Sequence, residues 1–194
     1  MQRAQVEHRP AVRDLPAVEL RRSTRRRRSA DANLEDGRVV VRLPAGLSAE
    51  QEAALIGRLV RRVTGADRAR AQGGDEALAV RAHELADRYL DGVRAEVVAW
   101  STRMRRRHGS CTPATRTVRV SARLAAAPGY VVDYVLVHEL AHLQHPDHSE
   151  AFWALVGRFP AAERARGYLE GFAAGQLEAT SRRAAEPAAD PGGG

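Results

Sequence analysis

Apolar positions along the chain change period several times, and each change predicts an element. "AVELRR" and "GRVVVRLP" are short β-branched runs that predict two strands joined by a hairpin-like connection, with Pro44 closing the second. Residues 1–16 show no period and are expected to form a loose extension. Ser48 with Gln51 three positions on is a capping-box pattern, and Leu55, Leu59 and Val63 then recur at helical spacing, predicting a helix to about Thr64. Gly73 and Gly74 break it. Leu78, Ala82, Leu85 and Tyr89 form the core stripe of a second helix, and "RAEVVAWST" and "TRTVRVSARL" predict strands, the latter alternating Val118 and Val120 with arginines. The run "YVVDYVLV" fits a buried strand or a buried helix by period alone. From about Gly175 onward the Ala/Pro/Gly-rich composition predicts a disordered tail to residue 194.

Composition narrows the class. With 44% hydrophobic residues in 194, the chain can bury one sizeable core, so one domain is expected over 17–174. A single cysteine, Cys111, excludes an intrachain disulfide and any multi-cysteine zinc site, and is read as a small buried residue. No apolar run reaches membrane-spanning length and the N-terminus lacks a secretory pattern, so a soluble cytoplasmic protein without membrane contact is expected. The net charge of +7 raises nucleic acid as a partner, with Arg21–Arg28 in "RRSTRRRRS" as the candidate segment. All 31 basic residues are arginine, which a biased genomic composition would also produce. Because no aromatic residue interleaves the run for base stacking, the solvated-strand reading is preferred there.

The stretch "VHELAHLQHPDHSEAFW" places four of the seven histidines within eleven residues. His138, Glu139 and His142 form H-E-x-x-H, a pattern that works on a helix, where positions four apart project from one face and two imidazoles can converge on an ion about 2.0–2.1 Å away. This motif decides for helix in the preceding apolar run. Glu139, turned by about 100° from His138, can reach a metal-bound water without becoming a ligand. A third ligand must approach from another direction. His145 lies about 10 Å further along the same stripe, and Pro146 should stop the helix near Gln144 or His145. A turn through Pro146 and Asp147 would bring back His148, after which Ser149 can cap a helix carrying Phe152, Trp153 and Leu155. His148 is the favoured third ligand; Glu163 and His145 are the alternatives. The spacing of the three histidines equals that of metzincins, which have Gly where this chain has His145.

From Arg107 to Phe172 the chain resembles the YgjP-like metallopeptidases, through "RHGSC", "SARL", "PGYVVDYVLVHELAHLQHPDHSEAFW" and "FPAAERARGYLEG", with "VELRRSTRRRR" and "GRVVVRLPAGLS" fitting the family's first strands. The resemblance implies an α+β, zincin-like fold with a small antiparallel or mixed sheet packed on helices around a buried H-E-x-x-H helix. It also implies metal ligation by His138, His142 and His148, with Glu139 as base. His108 replaces the family's usual Trp, and Ser121 and Ala122 replace a frequent Asn-Trp pair.

The expected function is therefore peptide-bond hydrolysis by a Zn2+-activated water, on a peptide or protein substrate lying beside the "TRTVRVSARL" strand. The rival readings are a nucleic-acid-associated protein with a structural zinc, and a zinc hydrolase acting on a non-peptide bond.

Overall fold

The computed structural model describes residues 5–11, 16–104 and 106–185. It is α+β, and the chain divides into two compact units, 1–71 and 72–194; the division falls inside the segment for which one domain is expected.

In the first unit, strands β1 (Gln5–Arg9), β2 (Val18–Ser23), β3 (Asp31–Glu35) and β4 (Arg38–Pro44) form a mixed sheet in the order β1-β2-β4-β3. The two strands read from sequence are present, but β2 runs parallel to β4, with Val18 opposite Val39. The hairpin is the one between β3 and β4, turning through Asp36 and Gly37 at φ 49° and 75°, the left-handed pair that a two-residue I′ turn needs. β3 gives no strand signal in the sequence because "DANLE" carries only two apolar residues. The expected loose extension also holds a strand, β1, whose pairing with β2 supplies the order that its own period lacks.

Helix α1 (Ala49–Ala71) starts on the expected box: Gln51 N–H donates to Ser48 Oγ at 3.2 Å and Ser48 N–H to Gln51 Oε1 at 3.1 Å. It continues two turns past Thr64, because buried Gly65 and Ala69 prolong the contact face with small residues that give little hydrophobic signal. Ile56, Leu59 and Val60 close over Leu20, Val39, Val41 and Leu43 of the sheet.

The second unit contains α2 (Gly74–Tyr89), β5 (Val97–Ser101), β6 (Gly109–Thr112), β7 (Thr117–Ser121), α3 (Gly129–Ala141), α4 (Glu150–Val156) and α5 (Ala162–Ala185), with 3-10 turns either side of β7. Its sheet order is β5-β7-β6, β5 parallel and β6 antiparallel to β7. Both edges of β7 are thus occupied, and no peptide can be added beside it; β6 has a free outer edge within the sheet, and α3 packs against both β6 and β7.

The apolar run before the histidines is helical. α3 is buried nearly all round, with Val131, Leu136, Val137 and Leu140 fully buried. Arg81 of α2 bonds both carboxylate oxygens of Asp133, with Nη2 to Oδ2 at 2.9 Å, clamping α2 to α3. α3 ends at Ala141, three or four residues before the expected stop, because Leu143 and Gln144 close three-residue turns onto Leu140 and Ala141 at 3.0 Å. α5 runs on to Ala185 through residues expected to be disordered from 175; residues 186–194 lie outside the described residues. No helix among the described residues is long and apolar enough to cross a membrane.

Candidate metal centre

His138 and His142 occupy the last turn of α3 and its cap, and the Pro146–Asp147 turn returns His148 to them. One ring nitrogen from each of the three lies within 4.8 Å of the others. His138 Nε2 and His148 Nε2 are 3.3 Å apart. Two ligands of a tetrahedral ion with bonds of about 2.0–2.1 Å stand roughly 3.3–3.4 Å apart, so the spacing suits a shared ion. His145 and Glu163 are not in this cluster. The Glu163 side chain is 84% exposed and pairs with Arg166 at 2.9 Å.

His145 acts through its backbone. Its carbonyl lies 3.1 Å from His142 Nδ1, and since a carbonyl only accepts, that nitrogen carries the proton. His142 Nε2 is left with its lone pair for the cluster, and the ring is held in one orientation. The turn itself is tied down by Gln144 Nε2, which donates to the Leu90 carbonyl at 2.8 Å, and Ser149 Oγ caps α4 by accepting from Phe152 N–H at 3.4 Å.

The histidines rest on two aromatic residues of α4. Phe152, fully buried, stacks on His142 with ring centroids 4.5 Å apart and meets His138 edge-on at 5.0 Å. Trp153, 42% exposed, lies against His148 at 5.5 Å and forms an open wall of the site. Burial first, and the neighbouring His142 and His148 second, push the His138 imidazole down to about 4. Burial also lowers His142. Both rings are therefore neutral near pH 7, the form in which imidazole ligates.

Glu139 is not one of the three clustered side chains and is 8% exposed. Burial raises its carboxyl to about 7, against the opposing pull of Arg107. Gly109, opening β6, makes room for it: a Cβ at this position would lie 2.6 Å from Glu139 Cγ and Oε1. Within "RHGSC" nothing local signals this contact of Gly109, which depends on a strand and a helix meeting. Cys111 on β6 is partly buried, outside the histidine cluster, and burial lifts its thiol to about 11. His108 packs its ring against Phe172 at 6.2 Å, while Ser121 and Ala122 are buried at 1% and 2% exposure.

The donor set fits a metal. One nitrogen from each of three imidazoles converges on a common point, and His138 presents Nε2 to it. Residues 74–171 match the family model described as YgjP-like, metallopeptidase domain. No curated protein and no solved structure matches the chain.

Proposed function

The chain belongs to the YgjP-like metallopeptidase family, and from that premise we propose that it is a zinc-dependent peptidase in which His138, His142 and His148 hold the metal and Glu139 is the general base. The convergence of three imidazole nitrogens carries this reading. An all-nitrogen set of three suits zinc, and three protein ligands rather than four leave a position for substrate or water. That open position favours a catalytic site over the structural zinc of a nucleic-acid-associated protein. The fold that this reading assigns is zincin-like, and the peptidase domain is the second unit, which contains the whole of the family match.

Bound zinc would polarise the scissile carbonyl and acidify a water molecule. Glu139 takes the proton of the attacking water and delivers it to the departing amine. Its pocket against Gly109 shields it from bulk solvent, so the carboxylate meets water only from the open side. His145, through its carbonyl, fixes the His142 tautomer. Phe152 sets the ring planes of His138 and His142. The substrate lies along the outer edge of β6, where backbone groups unpaired within the sheet can add an extended peptide beside Glu139.

Metal analysis of purified protein together with a peptide-library digest tests the function. Bound zinc near one per chain, and cleavage abolished by chelation and by Glu139→Gln, are expected. Chelator-insensitive cleavage, or protein with no affinity for zinc, would overturn it.

A further inference from the structure

The charge of this protein is divided as sharply as its fold. Residues 1–71 contain sixteen arginines against nine acidic residues, and residues 72–194 contain fifteen against fifteen, so the whole excess of +7 belongs to the first unit. Much of the charge in the first unit is internally compensated. Arg21 pairs with Glu19 and Glu35, Arg22 with Glu7 and Glu52, Arg26 with Asp31, and Arg42 with Asp31 and Glu35.

Two groups are left over. Arg25, Arg27 and Arg28 stand exposed on the loop between β2 and β3, and Arg58, Arg62 and Arg70 stand exposed on α1. None of these six has a hydrogen bond or ion pair with another described residue. Arg58 and Arg62 lie one turn apart, and Arg70 follows two turns on, rotated about 120° from Arg58, so the three span about 18 Å of the helix axis, or roughly five base-pair steps of duplex. Guanidinium groups held apart on a rigid helix, with no acid to neutralise them, repel one another and are relieved by a polyanion.

What the unit lacks narrows the polyanion. Residues 1–71 contain no Phe, Tyr or Trp. A single-strand binder needs aromatic platforms for unstacked bases, and a membrane-surface segment needs an apolar or aromatic anchor beside its cations. A duplex backbone needs neither, because its phosphates are presented at regular spacing and bind arginine as bidentate ion pairs. We propose that the first unit is a docking module for the phosphate backbone of double-stranded nucleic acid, engaging it without sequence readout through Arg25, Arg27 and Arg28 and through Arg58, Arg62 and Arg70. The peptidase reading does not enter this inference.

The test uses the full chain and a labelled random-sequence DNA duplex of roughly 20 base pairs, with binding followed by anisotropy over a range of salt. Six phosphate contacts predict a log–log salt slope of about −5, and the triple Gln variant of either group should lower it to about half. Triple Lys variants should restore the slope, because the released counterions are the same, and this separates charge from misfolding. A duplex RNA arm shows whether either backbone suffices, as expected from phosphate recognition. The inference is overturned if the duplex does not bind, if both Gln variants keep the wild-type slope, or if the Lys variants fail to restore it. Tighter binding to single strands, to vesicles containing phosphatidylserine, or to polyglutamate would equally overturn it. Cleavage of a short peptide by the Gln variants should be unchanged, so failure here and failure of the peptidase reading are separate results.

Discussion

Replacing Gly109 by Ala adds one methyl group where the structure allots none. The new Cβ would lie 2.6 Å from Glu139 Cγ and Oε1 and 2.9 Å from Cδ, against about 3.5–4.0 Å for a relaxed carbon contact. Something must give by about 1 Å. The Gly109 backbone is fixed by its pairing with Val120, and Glu139 belongs to the buried helix α3, so the free coordinate is the glutamate side chain. The Gly109 φ is not in the left-handed region, so contact rather than backbone strain causes the whole effect. Overpacking of this kind costs about 1–3 kcal/mol of stability, and a base displaced by about 1 Å lowers kcat by about a hundredfold. The histidines are untouched, so zinc stoichiometry should stay as in wild type. The assay pairs steady-state cleavage of a peptide substrate with metal analysis and a thermal melt. Wild-type kcat in a folded, zinc-loaded Gly109→Ala protein would refute the placement of Glu139 as base against β6.

Other substitutions separate the remaining roles. Glu139→Gln should keep zinc and fold while losing about a hundredfold or more in kcat; loss of zinc would make Glu139 a ligand. His148→Ala should weaken zinc affinity sharply in a chelator titration, whereas His145→Ala, which keeps the backbone carbonyl, should retain the metal; the reverse pattern would refute the turn-borne ligand. Glu163→Gln should leave zinc affinity unchanged, and a loss would bring that residue into the site. Arg81→Met, leaving the Asp133 carboxylate without its fork partner, should destabilise the second unit by about 1–2 kcal/mol in denaturant unfolding, with little effect on zinc affinity.

The sequence by itself determined the elements whose cause is local. The Ser48–Gln51 box and the helix after it, the glycine break at 73–74, the Val118–Val120 alternation and the Ser149 cap each depend on residues within one or two turns of each other, so the residue types suffice. The His138–His142 pair is local in the same sense, since any helix through "HELAH" sets those rings one turn apart. Pro146 and Asp147 likewise predicted where the chain must turn to return His148.

Tertiary structure alone decided what depends on partners distant in the chain. Nothing in "AVELRR" or "GRVVVRLP" states that the strands pair in parallel with a third strand, read from neither, on the far side, because side-chain alternation is the same for both directions of pairing. Nor does a glycine in "RHGSC" announce that Glu139, thirty residues on, occupies the space its missing Cβ leaves. α1 outruns the limit read from sequence because Gly65 and Ala69 continue its packed face without a hydrophobic signal, and a helix ends where its contacts end rather than where its large apolar residues do.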